Sequence, residues 1–304
     1  MIRTSSIVVV VGVLLSGCAA RGVVVGETSL WPFQKLAVRT STVGVVTGYF
    51  SRPQVEPRHL VVVLQTPLCQ LPDGPAAQQA TISTGGVLWE QFAKDSAFLQ
   101  FERPVMRRAT SADSVVERAD CEPQFQASLS SRDWQRTAGE VIAAVRKREG
   151  LAAVPTIYLG VGAGTAPAIG LADKDRRTAT LVLIGGGASV EPAMRARAPV
   201  VIVQGALDEA VPVAAANALY SHLGERSHPA ALLMFRELGG DLGLNSDQPE
   251  CFEVAMQALA DRALAFADEA SRSSGDRRDL DCPELDLAQD PNAPLIQALP
   301  PDNS

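Results

Sequence analysis

Short apolar runs alternate with helical patterns along most of the chain. The stretch "HLVVVLQT", which starts at His59, is continuous and rich in β-branched residues. Such a run is typical of a strand that is buried on both faces of a parallel sheet. Comparable runs begin near Ala97, Val154, Ala179, Ala198 and Ala230. We expect the last of them to be the final strand of the sheet.

A hairpin and several amphipathic helices complete this pattern. The stretches "LAVRTS" and "GVVTGYF" predict a β-hairpin ahead of the parallel strands. "SSRDWQRTAGEVIAAVRKREG" predicts a helix that Gly150 closes. Its apolar residues share one face: Trp134, Ala138, Val141, Ile142 and Val145. "PVAAANALYSHLG" and "PECFEVAMQALADRALAFADE" have similar spacing. The order predicts an α/β fold with a mostly parallel, twisted sheet of about eight strands, flanked by helices.

The first residues have the features of an export signal. Arg3 is the one charge before an apolar run, Ile7–Leu15. This run is too short to span the roughly 30 Å bilayer core as a helix. It ends in Leu15-Ser16-Gly17-Cys18, which resembles the lipobox of bacterial lipoproteins. An ordinary signal peptide with an incidental cysteine is the alternative.

The lipobox resemblance carries several implications. Residues 1–17 would be a signal peptide, and Cys18 would be acylated and become the new N-terminus. Two or three acyl chains anchor a protein stably in a membrane. Ala19 after the cysteine favours sorting to the outer membrane, on its periplasmic side. We therefore expect a lipid-anchored protein of the bacterial cell envelope.

The remaining chain divides into three parts by composition. We predict a tether over residues 18–31, one domain over 32–270, and an irregular tail rich in Pro and Asp over 271–304. Without its first 17 residues the chain has 287, enough for one large α/β domain. Its 26 basic residues against 34 acidic ones give a net charge of −8. This charge argues against nucleic acid and anionic lipid surfaces as main partners.

Four cysteines remain besides Cys18. An even number in an exported protein predicts two disulfides. We favour Cys69–Cys121, between two loops at one end of the sheet, and Cys251–Cys282, between the last helix and the tail. The other two pairings and free buried thiols stay open.

Two loops of this pattern resemble the α/β-hydrolase superfamily, over roughly residues 36–268. Gly160-Val161-Gly162-Ala163-Gly164 matches the superfamily's G-x-S-x-G nucleophile elbow at both outer glycines, with Gly162 in place of the serine. "GALDEAVP", from Gly205, resembles the segment that carries the acidic member of the triad, so Asp208 is the candidate acid. The alternative role for the Asp208 carboxylate is to cap a turn or the next helix.

The superfamily's histidine normally follows the last strand, where this chain reads "ELGGDLGLNSD". Gly240 or Asp241 occupies the expected place. The chain has three histidines. We expect His59 and His228 at the wrong end of the sheet and His222 within a helix. The degenerate triad positions are therefore Gly162, Asp208 and Asp241.

Triad chemistry needs a nucleophile and a base within hydrogen-bond reach of it. Neither is present at the matching positions, which predicts a non-catalytic protein that binds or scaffolds an envelope protein or a small-molecule ligand. The backbone N–H groups of Ala163 and Thr66 are the candidate oxyanion donors. The elbow residue is normally strained, and glycine at position 162 would relieve that strain.

Other functions stay open at this point. An active ester- or peptide-hydrolase would need an unrecognised nucleophile, for which the candidates are Ser83, Thr84, Ser189 and Ser246. Close approach of Asp208 and Asp241 would favour a bound cation. The glycines also permit a purely structural turn in an unrelated α/β fold. They fit a dinucleotide loop or P-loop poorly, because Thr165 replaces the third glycine and no Gly-Lys-Ser/Thr is present. We predict no cofactor and no metal.

Overall fold

A ten-stranded mixed sheet forms the centre of the computed structural model. The structure describes residues 22–30, 33–65, 88–102, 130–185, 197–209, 211–236, 238–239, 249–268 and 276–280. The strand order is β1-β2-β3-β5-β4-β6-β7-β8-β9-β10. The strands are β1 Val23–Leu30, β2 Phe33–Thr40, β3 Gly44–Ser51, β4 His59–Gln65, β5 Ser96–Glu102, β6 Thr156–Val161, β7 Thr178–Ile184, β8 Val200–Gly205, β9 Ala230–Phe235 and β10 Asp276–Leu280.

The sheet is antiparallel at its start and parallel over the rest. β1, β2 and β3 pair antiparallel, and β3 joins β5 in the same sense. Every later pairing, from β5–β4 to β9–β10, is parallel. The carboxyl ends of β4 and β6 to β9 therefore meet at one edge, which we call the carboxyl edge.

Among the described residues, four helices flank the sheet: α1 Ser131–Glu149, α2 Thr165–Lys174, α3 Val213–Glu225 and α4 Pro249–Ala267. Residues 88–92 are also helical. Gly150 ends α1 with a left-handed φ of 72°, as predicted, and at the start of the helix the Ser130 side chain accepts a hydrogen bond from the Asp133 backbone N–H. The five apolar residues assigned to its inner face are all buried.

Each face of the sheet has its own hydrophobic core. α1, α2 and α3 cover one face, where Leu36, Val62 and Tyr158 are buried. α4 and the helical residues 88–92 cover the other, where Val61, Ile157 and Val203 are buried. Adjacent residues of the inner strands alternate between the two cores. That is why these strands are apolar throughout, as the sequence predicted.

The prediction of a mostly parallel sheet flanked by helices is confirmed, but the sheet has ten strands rather than eight. The two additional strands lie at its edges. The tether predicted over residues 18–31 is wrong for Val23–Leu30, which pairs with β2. The irregular tail is wrong for Asp276–Leu280, which pairs with β9, so the run at Ala230 is not the final strand. Within the described part of the chain, no helix is long and apolar enough to cross a bilayer.

Candidate functional site

The segment Gly160–Gly164, which we call the elbow, lies at the carboxyl edge, where β6 ends and α2 begins. Val161 ends β6 in extended conformation, and Gly162 follows with φ of +54°. Gly162–Gly164 then form one turn of 3-10 helix that continues into α2. The Thr165 hydroxyl donates to the Gly162 carbonyl at 2.8 Å. Position 162 therefore has the left-handed backbone that glycine adopts with little penalty and other residues rarely adopt.

Gly160 allows the helix to approach the strand. A Cβ at this position would lie 2.6 Å from the Thr165 Cα and 2.8 Å from the Gly164 carbonyl oxygen. Both are backbone atoms, so neither can move away without displacing the start of α2. The first glycine of the elbow motif is thus explained by close packing of α2 on β6, independently of any chemistry.

The segment "GALDEAVP", which starts at Gly205 and which we call the acid loop, follows β8 at the same edge. Asp208 is 8% exposed. Its Oδ1 accepts from the Val211 backbone N–H at 2.9 Å, and its Oδ2 accepts from Gln204 Nε2 at 3.0 Å. Each carboxylate oxygen thus holds the acid loop closed. The turn-capping role that the sequence allowed for Asp208 is present.

Gln204 is the residue of this loop that sequence reasoning missed. It is buried in β8, and its amide nitrogen also contacts the Gly205 and Val211 carbonyl oxygens at 3.1 and 3.3 Å. Its signal was a polar residue at the end of an otherwise apolar strand, "VVIVQG". A buried amide in such a place needs hydrogen-bond partners, and the acid loop supplies them.

The acid loop is bonded directly to the loop after β9. The Leu207 backbone N–H donates to the Leu238 carbonyl at 3.0 Å, and that of Ala206 donates to the Phe235 carbonyl at 2.8 Å. Gly205 permits this contact, because a Cβ there would lie 2.2 Å from the Gly239 carbonyl oxygen. The loop after β9 therefore passes directly beside the acid loop at Leu238 and Gly239.

Strand spacing gives the distance between the elbow and acid loops. β6 and β8 are separated by β7 alone. Two inter-strand spacings place Gly162 about 10 Å laterally from the start of the acid loop. A third residue between them could contact both, which is the arrangement that relay chemistry requires.

His59 and His228 lie at the amino edge of the sheet, opposite the elbow. His59 begins β4, is buried, and has its Nε2 3.4 Å from Asp268 Oδ1. Burial lowers the pKa of His59, and the Asp268 charge opposes this only in part. His228 precedes β9, with its Nε2 2.9 Å from the Ala198 carbonyl oxygen. Both predicted placements are confirmed.

His222 lies in the second half of α3, where its Nδ1 is 3.1 Å from Glu225 Oε2 on the helix surface. This placement is also as predicted. α3 runs from the carboxyl edge back to the amino edge, so its second half leads away from the elbow. None of the chain's three histidines is positioned beside Gly162.

A buried polar cluster at the amino edge was not recognised from sequence. Arg146 in α1 pairs with Asp175 at 3.6 Å and contacts Thr156, while the Tyr158 hydroxyl contacts Asp175 at 3.1 Å. Burial raises the pKa of Tyr158, and the Asp175 charge raises it further. Burial also raises the pKa of Asp175, but hydrogen bonds from Arg177 and the charge of Arg146 outweigh it and hold that pKa below its ordinary value. The cluster joins α1, β6 and the end of α2 and lies far from the elbow.

Several predicted residues lie outside the described part of the chain: Cys18, Thr66, Cys69, Ser83, Thr84, Cys121, Ser189, Gly240, Asp241, Ser246 and Cys282. Ala163 follows Gly162 in the 3-10 turn. Cys251 is buried in the first turn of α4. Among the described residues no group of three or more His, Cys, Asp or Glu is arranged to hold a metal ion.

No protein-family model and no curated protein matches the sequence. Solved structures do match the fold. A candidate dienelactone hydrolase from Klebsiella pneumoniae subsp. pneumoniae has a TM-score of 0.59 and 15% identity, over 83% of this chain and 100% of that one. An esterase domain from Rhodothermus marinus has a TM-score of 0.53 and 13% identity, over 80% and 100% of the two chains. For a lidless α/β serine hydrolase from Xanthomonas campestris, the TM-score is 0.52 and the identity 14%, over 82% and 100%.

Proposed function

We propose that this chain, which has the α/β-hydrolase fold, is a cell-envelope lipoprotein that binds a partner or ligand without hydrolysing it. The nucleophile and the histidine of the triad would be lost, and the acid would be kept as part of the loop structure. The fold would then position the loops of the carboxyl edge for contact with that partner or ligand.

The observation that carries this proposal is the chemistry available at the elbow. The residue with left-handed backbone after β6 is a glycine, which has no side chain to attack a substrate. A serine there would still need a base, and the three histidines are distributed over the amino edge and α3. Asp208 follows β8, two strand spacings or about 10 Å laterally from Gly162, which is beyond the reach that direct deprotonation of a residue at the elbow requires.

The second candidate function is hydrolysis of esters or peptides by an unrecognised serine. It is favoured by the comparisons, since the similar structures are described as esterases and serine hydrolases. The candidate nucleophiles would be Ser83, Thr84, Ser189 and Ser246. Such an enzyme would use the same fold with its nucleophile displaced from the elbow.

A fluorophosphonate probe discriminates between these functions. We expect the mature protein to remain unlabelled under conditions that label the Rhodothermus marinus esterase domain, and to leave short-chain p-nitrophenyl esters intact. Labelling that disappears on mutation of one of the four candidate residues to Ala would overturn the binding proposal and identify the nucleophile.

The loop assignments have a test of their own. The double variant Gly162→Ser with Asp241→His restores both missing triad members. We expect slow but measurable ester hydrolysis and fluorophosphonate labelling at position 162. Each single variant is the matched control and should remain inactive, because a nucleophile and its base act as a unit. An inactive but folded double variant would count against Asp241 as the histidine position.

The lipoprotein part of the proposal rests on the Leu15–Cys18 motif. We expect the protein to incorporate labelled palmitate and to fractionate with outer membranes, and Cys18→Ala to abolish both. Incorporation that survives this substitution would contradict the proposal.

Cys251 packs in the same core as Phe235 and Leu280. Cys282 lies two residues past Leu280, within about 7 Å along the chain, which supports Cys251–Cys282. Both disulfide pairings stay predictions.

A further inference from the structure

We propose that one corner of the domain rests on the phospholipid bilayer in which Cys18 is anchored. This inference rests on the proposed acylation of Cys18. It goes beyond anchoring because it assigns a membrane-contact surface to the folded domain.

The corner consists of Val23, Val25, Arg39 and Val45, which we call the corner patch. Val23 pairs with Arg39, and Arg39 pairs with Val45, so these three form one row across β1, β2 and β3. Val23 is 58% exposed, and Val25 at the adjacent bulge is 49% exposed. These are two of the five exposed large hydrophobic residues in the described part of the chain.

The corner patch lies on the face of the sheet that α1 does not cover. Val24 packs against the core beneath α1, together with Val38, its partner in β2. Residues alternate between the faces of a strand. Val23 and Arg39 therefore point away from α1. The two exposed valines form a small apolar surface, and contact with a bilayer would remove it from water.

The charge of this corner suits a phospholipid surface. Arg39 is exposed and forms no ion pair with another described residue. At the opposite edge of the sheet, by contrast, Arg277 and Arg278 of β10 pair with aspartates. The net charge of −8 repels anionic lipids overall, but beyond about 8–10 Å this repulsion is screened, so the nearest charges decide the orientation.

Chain length keeps the corner close to the anchor. Val23 is five residues after Cys18. A fully extended chain of this length spans about 18 Å at most. The start of β1 must therefore lie within about 18 Å of an acylated Cys18, which is less than the width of the domain. No other edge of the sheet is held so near.

Strand direction places the corner patch at the carboxyl edge of the sheet. β1 and β3 run opposite to β4, because β1 is antiparallel to β2, β2 to β3, and β3 to β5, which is parallel to β4. The first residues of β1 and β3 thus lie at the carboxyl edge. Gly162 is on the same edge, five strand positions from β1, or about 24 Å along it.

Hydrogen exchange on the acylated full-length protein tests the membrane contact. The protein is reconstituted on vesicles of phosphatidylethanolamine and phosphatidylglycerol and compared with itself in detergent micelles. We expect exchange of residues 22–30 and 39–46 to slow several-fold on vesicles, with no change in β10. In the variant Val23→Ser with Val25→Ser, this protection should disappear while the protein still floats with the vesicles. Val254→Ser, an exposed valine of α4, is the matched control and should behave as wild type.

The outcomes separate the two proposals. If the protein is acylated and floats but residues 22–30 exchange equally in both states, the membrane contact is wrong and the lipoprotein proposal stands. If mass spectrometry of the N-terminal peptide shows no acyl chain on Cys18, both proposals fail together. Protection that appears equally in β1 and β10 would indicate general slowing on vesicles and would also overturn the inference.

Discussion

At the scale of single residues, Gly162 and Asp208 show that motif positions can persist for structural reasons. Gly162 has a φ of +54°, so its backbone follows the elbow path without a side chain. The two carboxylate oxygens of Asp208 accept hydrogen bonds from the Val211 backbone N–H and the Gln204 amide. The sequence could place both residues in their loops. It could not show that the carboxylate is already engaged, because that depends on the side-chain conformations of three residues in one turn.

Substitution at Gly162 should cost stability. A left-handed conformation costs a residue with a Cβ about 1–2 kcal/mol, so Gly162→Ala should lower the free energy of unfolding by that amount in urea denaturation. Gly139→Ala is the control, since Gly139 lies inside α1 and its Cβ would meet only Leu171 at 3.6 Å. That variant should gain about 0.5–1 kcal/mol. Equal effects of the two substitutions would contradict the assigned strain.

At the scale of elements, the apolar pattern predicted the inner strands and the main helices but missed both edges. β10 has the sequence "DRRDL" and, among the described residues, pairs with β9 alone. Most of its side chains are exposed and carry no apolar signal. β1 is apolar at its start, yet its position just after the predicted signal peptide favoured a tether. Pairing partners, which periodicity does not encode, decide whether such segments become strands.

The contact between the acid loop and the loop after β9 depends on Gly205. Gly205→Ala would drive a Cβ into the Leu238 and Gly239 carbonyl oxygens, which lie 2.3 and 2.2 Å from it. We expect a loss of about 1–3 kcal/mol, typical of overpacking, measured by thermal and urea unfolding. Gly48→Ala is a strand control, because its Cβ would find only ordinary contacts of 3.6 Å or more. A variant Gly205→Ala as stable as Gly48→Ala would contradict the close approach.

At the scale of the whole molecule, ion pairs at the amino edge join distant parts of the chain. Arg58 bonds Asp268 at 2.8 Å, and His59 lies beside the same carboxylate. These contacts tie the start of β4 to the end of α4. Asp95 adds a second carboxylate near Arg58. The cluster is remote from the elbow, so its titration should affect folding rather than binding.

The buried His59 should make stability depend on pH. Burial lowers the pKa of His59 below 6.5, with Asp268 and Asp95 opposing and Arg58 adding to the shift. The unfolded chain then binds more protons than the folded one below about pH 6.5, so the free energy of unfolding falls as pH drops through this range and levels off below the folded pKa. Denaturation at about pH 5 and pH 7 should show a smaller difference for His59→Gln than for wild type.

Gly48→Ala is the control for this prediction. It changes no titratable group, and its Cβ would meet only ordinary contacts, so it should leave the pH dependence as in wild type. A pH dependence that is the same in all three proteins would show that other groups cause it.

The sequence by itself determined the layered fold, the inner strands, the helix ends and the absence of a histidine near the elbow. These follow from periodicity, capping and chain order, which are local properties. Only the tertiary structure decided the edge strands, the hydrogen bonds of Asp208 and the position of the β1 corner on the carboxyl edge. Each of these depends on which segments lie side by side, and that is set by pairing and packing between residues far apart in the chain.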